Sequence, residues 1–360
     1  MHLRIFGGSL IVAVVGLVLG FLYGGTTGLA VTAILAILEV SLSFDNAVVN
    51  ATVLERMSAF WQKIFLTVGV AIAVFGMRLI FPLLIVGITA KLSPIEAVRL
   101  ALEKGDPKVN GTYGYLLHQA HPAIAAFGGV FLLLLFLDFM FEERELTWLT
   151  PIEKALARIG KLDQLSVVVT LVLLFVAAET LAPHGKSGTV LASGALGMAT
   201  YLIVNGLGEL FNVDGDDDEA GGARAVVGAV GKAAFFLFLY LEVLDASFSF
   251  DGVVGAFAIT SDPIIIAIGL GIGAMFIRSL TVFLVRKGTL SEYVYLEHGA
   301  LWAIGALAVL LLITIKYEVP EVVTGLIGVG FIAAAFVSSV IRNQRTPGEP
   351  NQVELQSAPV

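Results

Sequence analysis

The chain has 360 residues, of which 58 % are hydrophobic and 14 % are charged, and its net charge is −8. A soluble domain is about 45–50 % apolar and about 25 % charged, so these values exclude a water-soluble fold and predict an all-α polytopic membrane protein. The acidic balance argues against a nucleic-acid partner, because contacts to phosphates need a basic surface. The chain has no cysteine, which excludes disulfides, thiolate chemistry and cysteine-ligated metals.

Ten stretches are apolar and long enough to cross a membrane as helices, which takes about 20 residues each. They are 5–23, 27–50, 62–90, 122–141, 164–183, 188–211, 229–258, 263–285, 298–316 and 320–341. Thirteen lysines and arginines fall on the N-terminal side of these spans and six on the opposite side. The excess of basic residues predicts that both termini are cytoplasmic.

Three segments outside the spans have distinct patterns. Ser93-Pro94-Ile95-Glu96 is typical of a capping box and predicts an amphipathic helix over 93–105, on the outer surface. The acidic loop 212–222 fails the EF-hand pattern, because Glu219 stands where glycine is needed, and it is interpreted as a solvated cytoplasmic loop. The polar tail 346–360 is predicted to be disordered and cytoplasmic.

The sequence also repeats itself. Ser41-Leu-Ser43-Phe-Asp45 matches Ser247-Phe-Ser249-Phe-Asp251, and residues 68–78 match 268–278, both ending in arginine (Arg78 and Arg278). We therefore predict a first membrane repeat over 1–185 and a second over 186–345, each with about five spans. An odd number of spans makes the two repeats cross the membrane in opposite directions, as in many secondary transporters.

The repeated spans carry five carboxylates, each of which costs at least about 2.5–3.5 kcal/mol at the centre of a membrane. They are Glu39, Asp45, Glu242, Asp245 and Asp251. Residues six apart in a straight helix lie about 120° apart, so Glu39 and Asp45 converge only if their helix is kinked or unwound. Serine, asparagine and glycine residues permit such a break. With the carboxylates they form a candidate set of oxygen ligands that includes Ser41, Ser43, Asn46, Ser247 and Ser249.

Hard oxygen ligands favour Mg²⁺, Ca²⁺ or Mn²⁺. The alternative is that the carboxylates form structural ion pairs with Arg78 and Arg278, although two arginines neutralise only two of the five acids. His118 and His298 are expected near the outer surface at the ends of spans, where a packing role is favoured over metal ligation.

The segment from Glu39 to Asn46, with its weaker copy from Asp245 to Gly252, resembles the signature of the TerC family within the LysE superfamily. The resemblance covers most of residues 25–340. Within the family, the chain is most similar to a bacterial branch. It implies an all-helical fold with inverted repeats in the bacterial inner membrane, and export of a divalent metal, chiefly manganese. It also implies that Glu39, Asp45, Asn46 and Asp251 are ion ligands.

The sequence therefore predicts a transporter that has no cofactor. It does not predict an enzyme. The transporter would export Mn²⁺ or another divalent cation, with proton antiport as one possible coupling and a homo-oligomer as one possible state. A Ca²⁺/H⁺ exchanger and a tellurium-resistance-linked scaffold without transport are open alternatives. Amino-acid export, by analogy with LysE relatives, and an intramembrane aspartyl protease using Asp45 and Asp251 are less favoured.

Overall fold

The computed structural model describes residues 2–69, 71–162, 164–213, 231–287 and 292–345. These residues contain helices and no strand, which confirms the all-α class. The α-helices are α1 (His2–Leu42), α2 (Phe44–Glu55), α3 (Ala59–Ile64), α4 (Phe81–Ala90), α5 (Pro94–Leu102), α6 (Tyr113–Phe141), α7 (Thr150–Ile159), α8 (Leu165–Thr180), α9 (Ser187–Val213), α10 (Gly231–Ile259), α11 (Pro263–Lys287), α12 (Leu296–Thr314) and α13 (Glu321–Arg345). Most of the acidic loop, 214–222, and the tail 346–360 lie outside the described residues.

Seven helical segments in the described part of the chain are long and apolar enough to cross a membrane. They are Ile5–Ser41, Ala59–Ile88, Tyr113–Phe141, Ser187–Gly206, Pro263–Val285, Leu296–Thr314 and Val323–Arg345. Helix α8 is also apolar but has only 16 residues, and α10 extends over 29 residues. The protein is therefore a multi-pass membrane protein in a lipid bilayer, and the ten predicted spans coincide with helices.

Helix α1 is a hairpin of two arms. Gly25 has φ 62° and ψ −150°, inside an element of 41 residues. A Cβ atom added to Gly28 would lie 2.4 Å from the carbonyl oxygen of Gly20, a distance that only a sharp reversal of the chain permits. Glycine is required at Gly25 because side chains rarely adopt its positive φ. The reversal accounts for the two spans predicted over 5–23 and 27–50.

The third predicted span contains an unusual helix. Between α3 and α4 the backbone forms two π-helical segments, π1 (Phe65–Gly69) and π2 (Ile72–Ile80). A π-helix is rare, usually lasts a single turn and occurs often at functional sites. The nine residues of π2 include the buried Arg78, whereas the matching Arg278 lies in the α-helix α11. The two repeats therefore differ in backbone conformation at this point.

The amphipathic helix predicted over 93–105 is present as α5. The Ser93 hydroxyl accepts a hydrogen bond from the Glu96 backbone N–H at 3.3 Å, and the Glu96 carboxylate accepts one from the Ser93 backbone N–H at 2.8 Å. Proline occupies the first turn, where its missing N–H has no cost. This reciprocal capping begins the helix where the sequence predicts it.

The core brings the two repeats together. Helix α6 packs against α9 and α12, α1 packs against α11, and α10 packs against both α6 and π2. Small residues permit the close approach, as is usual between membrane helices. At Gly197, for example, an added Cβ would lie 2.3 Å from the Phe127 carbonyl oxygen. The two halves therefore share one interior, and the motif-bearing helices α2 and α10 lie inside it.

Candidate functional site

The first motif helix is kinked between its two acids. Helix α1 ends at Leu42 and α2 begins at Phe44, and Ser43 between them has φ −104° and ψ 15°. Its backbone N–H still donates to the Glu39 carbonyl oxygen at 3.0 Å. Its hydroxyl donates to Glu39 Oε1 at 3.1 Å. The first repeat therefore has the predicted kink, with the helical hydrogen bonds largely retained around it.

The second motif helix has no such interruption. Helix α10 is continuous from Gly231 to Ile259, so the expected break near Ser247 is absent. The Ser247 hydroxyl donates to the Val243 carbonyl oxygen of its own helix at 3.0 Å. Ser41 likewise donates to the Ile37 carbonyl oxygen at 2.8 Å and is exposed. Neither serine is directed to the buried acids.

Glu39 and Arg78 form a buried ion pair. Their side chains are 2 % and 3 % exposed, and Arg78 Nη2 donates to Glu39 Oε1. Arg78 Nη1 also donates to the Ala73 carbonyl oxygen at 2.6 Å. Bonds of this kind fix both side chains, since a buried charge must be paired and hydrogen-bonded. The ion-pair alternative raised by the sequence is therefore realised for this one carboxylate.

A hydrogen bond joins the two repeats at the centre of the protein. Asn46 Nδ2 on α2 donates to Asp245 Oδ1 on α10 at 2.7 Å, and both residues are buried. A hydrogen bond to a charged acceptor is short and strong. The two acidic motifs, which are 199 residues apart in sequence, are therefore in direct contact.

A small cavity lies beside this contact. Its volume is about 20 Å³, which is enough for one water molecule. Its polar lining comes from both repeats and consists of Asn50, Arg78, Glu242, Asp245, Arg278 and Thr281. Gly69 of π1 also borders it, and a Cβ atom there would lie 2.6 Å from Glu242 Oε1. Glycine at this position lets the carboxylate approach the backbone.

Several polar atoms around the cavity make no hydrogen bond within the described residues. They include both oxygens of Glu242, Asp245 Oδ2, Asn50 Oδ1, and Nε and Nη2 of Arg278. Arg278 is held instead by the Phe65 ring, with Cζ 3.7 Å from the ring centroid. Buried polar atoms nearly always have a hydrogen-bond partner. These atoms are therefore the candidates for contact with a polar or charged ligand.

The charges of the cluster do not cancel. Glu39, Glu242 and Asp245 are three acids, and Arg78 and Arg278 are two bases. In the described part of the chain, no group of three or more acidic, histidine or cysteine side chains has the geometry to hold a metal. The side chains of Asp45, Ser249 and Asp251 lie outside the described residues. The full predicted ligand set is therefore not tested by this geometry.

The sequence reasoning missed some lining residues and misplaced one histidine. Asn50 lies one helical turn after Asn46, so the four-residue spacing of two amides in an apolar span was a usable signal. Gly69 and Phe65 gave no signal in the sequence. His118 and His298 are both expected near the outer surface, but His118 lies near the start of α6, whereas His298 contacts Phe139 near its end and has Nδ1 3.0 Å from Glu153 Oε2. The two histidines therefore do not lie at the same face of the membrane.

The fold and the cluster define a polytopic all-α membrane protein with a buried ionic site between two motif-bearing helices. A family model described as "Protein of unknown function (DUF475)" matches residues 44–346, which is more than half of the chain, and the protein belongs to this family. No curated protein and no solved structure matches the chain.

Proposed function

We propose that the protein is a secondary transporter that exports a divalent cation, with Mn²⁺ as the first candidate. The observation that carries the proposal is the pair of acids on α10. Glu242 and Asp245 are 6 % and 8 % exposed and line one cavity, and three of their four carboxylate oxygens accept no hydrogen bond in the described structure. A desolvated cation would satisfy these oxygens directly.

The ligand chemistry supports a hard cation. Carboxylate and amide oxygens border the cavity, and such donors suit Mn²⁺, Mg²⁺ or Ca²⁺ better than copper or zinc. By formal charge the three acids of the cluster exceed the two arginines by one, and the motifs contain two further acids, Asp45 on α2 and Asp251 on α10. A cavity of about 20 Å³ admits one desolvated ion but no amino acid, which weighs against amino-acid export.

The position of Arg78 supports a release route. Arg78 borders the cavity of the cluster and also a second cavity of about 70 Å³. The second cavity is mostly apolar, and Val98 and Leu102 of α5 line its far side. Arg78 therefore separates the cluster from the membrane face that carries α5, which the basic residues predict to be the outer face. In the proposal, movement of Arg78 accompanies release.

Proton coupling follows from the same acids. A carboxylate that has lost its cation in an apolar interior is costly unless it takes up a proton. Exchange of one divalent ion for protons would keep the cluster near neutrality, and antiport is the coupling we propose. The TerC kinship, the bacterial inner membrane and cytoplasmic termini belong to this proposal.

Export is tested by manganese accumulation in an efflux-deficient host. Wild-type protein is expected to lower cellular manganese, whereas Asp45→Asn/Asp251→Asn and Glu242→Gln are expected to abolish this effect. Glu179→Gln is the matched control, because Glu179 is an exposed acid on α8. Unchanged export by the Asp45→Asn/Asp251→Asn variant, at equal expression, would overturn the assignment.

The Glu39–Arg78 pair favours a second candidate, a scaffold whose buried charges only hold helices together. The two candidates differ in their response to metal. A transporter melts at a higher temperature when Mn²⁺ is added, since ligands that bind the native state stabilise it. A scaffold shows no shift with Mn²⁺ or Ca²⁺. A shift with Ca²⁺ alone would instead favour the Ca²⁺/H⁺ exchanger.

A further inference from the structure

Helix α7 is an amphipathic helix at the membrane boundary. It lies between α6, a span of 29 residues, and the apolar α8. Ile152 and Ile159 lie two turns apart on α7, and Leu162 follows just after the helix ends. The exposed fractions of these three residues are 49 %, 53 % and 63 %. Apolar residues of this kind next to a membrane span are typical of a helix that rests in the lipid interface.

A polar cavity of about 540 Å³ opens beside α7. Its lining contains four basic residues, Arg144, Lys154, Arg158 and Lys161, and four acids, Glu142, Glu143, Glu145 and Glu153. Arg144 pairs with Glu142, and Lys161 pairs with Glu143 at 2.8 Å. Lys154 and Arg158, one helical turn apart, have no ion-pair partner among the residues that the structure describes. Two cations are therefore left for an anionic guest.

The acid of α7 does not neutralise them. Glu153 is buried and accepts hydrogen bonds from the Trp148 and Leu149 backbone N–H groups and from Trp302 Nε1, all at 3.0–3.1 Å. Its Oε2 also lies 3.0 Å from His298 Nδ1. Desolvation opposes ionisation, but the bonds from His298 and Trp302 outweigh it and lower the pKa of Glu153 to about 2. Glu153 thus fixes α7 to α12 and leaves the basic side free.

Helix α5, at the opposite end of α6, provides the contrast. Ile95, Val98 and Leu102 are exposed at the same helical spacing. Its charged side chains, however, already have partners, because Arg99 Nε lies 3.6 Å from Glu103 Oε1 and Glu96 caps the helix. Both helices expose apolar side chains, and of the two only α7 adds basic side chains beside a cavity that have no ion-pair partner in the described structure.

We propose that Lys154 and Arg158 bind the phosphate headgroup of an anionic phospholipid in this cavity, with its acyl chains along Ile152, Ile159 and Leu162. The combination of an apolar face and adjacent cations favours a lipid over a soluble anion, because only a lipid uses both. The site is independent of the proposed transport function.

Binding is measured on purified full-length protein in detergent by titration with phosphatidylglycerol and, separately, with phosphatidylcholine. Wild-type protein is expected to prefer phosphatidylglycerol. Lys154→Gln/Arg158→Gln is expected to weaken that binding by about 25-fold, which corresponds to about 1 kcal/mol for each basic residue. The matched control is Arg99→Gln/Lys108→Gln, which removes two positive charges near α5 and is expected to leave phosphatidylglycerol binding unchanged.

Three results would overturn the proposal. The first is equal affinity of wild-type protein for the two lipids, and the second is an equal loss in the control variant. The third is competition by inorganic phosphate as effective as that by phosphatidylglycerol, which would identify a site for a soluble anion. Since none of these measurements uses metal or transport, failure of the export proposal leaves them unaffected.

Discussion

The two acidic motif segments have similar sequences but different structures. In the first, the chain is kinked at Ser43, and Glu39 is paired with Arg78. In the second, α10 is continuous, and the oxygens of Glu242 accept no hydrogen bond from the described residues. The same residue types therefore yield one carboxylate, Glu39, that is fixed by an arginine. The other, Glu242, has oxygens that accept no hydrogen bond in the described structure.

The difference arises from the position of the glutamates. Glu39 precedes Asp45 by six residues, whereas Glu242 precedes Asp251 by nine, and Asp245 takes the six-residue position. Glu242 and Asp245 are three residues apart and lie on one face of α10, where both line the same cavity. The second copy thus offers two acids in one turn, where the first offers one. In the proposed transporter, the first copy would therefore hold the site in place and the second copy would bind the cation.

The largest expected effect comes from removing the partner of the fixed acid. Arg78→Met leaves Glu39 buried without its ion pair, and loss of one member of a buried pair destabilises a protein by about 3–5 kcal/mol. Arg278→Met is the comparison, because Arg278 makes no hydrogen bond to Glu242, and its loss should be smaller. Thermal unfolding in detergent measures both. Equal losses would show that the two arginines contribute equally to stability.

The next effect concerns the bond that joins the two motifs. Asn46→Leu removes the hydrogen bond to Asp245, and a bond to a charged group contributes about 1.5–3 kcal/mol. Ser247→Ala on α10 serves as the control, because that hydroxyl bonds only its own helix in the described structure and its loss should have little effect. A stability loss in Ser247→Ala as large as that in Asn46→Leu would argue against a special role for the contact.

A third variant changes the cavity without removing a charge. Gly69→Ala places a Cβ 2.6 Å from Glu242 Oε1, and overpacking of this kind costs about 1–3 kcal/mol. If the carboxylate moves to relieve the clash, binding of Mn²⁺ weakens by about tenfold. Gly76→Ala in π2 is the control, since its nearest neighbour would be 3.4 Å away. The melting temperature of both variants is measured at increasing Mn²⁺ concentration, which gives their Mn²⁺ affinities. Equal affinity in Gly69→Ala and Gly76→Ala would contradict the proposed site.

The smallest effect is a pH dependence at the end of α2, the helix that follows the kink in the first motif. Helix α2 ends at Glu55, and desolvation, together with the charge of Glu297, raises the pKa of Glu55 from 4.5 to about 7. A raised pKa means that the charged form is disfavoured in the folded protein. Stability is therefore lost as the pH rises from about 4.5 to 7. Glu55→Gln should remove part of this dependence in melting curves, whereas Glu103→Gln at the exposed end of α5 should leave it in place.

Much of the fold could be predicted from the sequence because membrane spans are set by length and hydropathy alone. The predicted spans fall in helical segments, although seven segments rather than ten are long enough to cross a membrane in the described structure. The capping box at Ser93 begins α5 as expected. The candidate site could be predicted in part. The repeated motif singled out Asn46 and Asp245, which a hydrogen bond joins, and Glu39, which pairs with Arg78. The role of these residues as ion ligands stays a prediction. The π-helix, the continuous α10 and the lining by Gly69 could not be predicted, since backbone conformation at these points depends on packing against other helices.

By itself, the sequence determined that this chain lies in a membrane as a set of helices and that rare acids recur in two of them. Composition and periodicity carry that information, because the free energy of transfer from water into the bilayer limits which side chains a membrane span can contain. Only the tertiary structure decided that Arg78 pairs with Glu39 and that the Glu242 oxygens, beside a cavity, accept no hydrogen bond from the described residues. Partner choice depends on helix position and rotation in three dimensions, and similar motifs in different surroundings therefore acquire different roles.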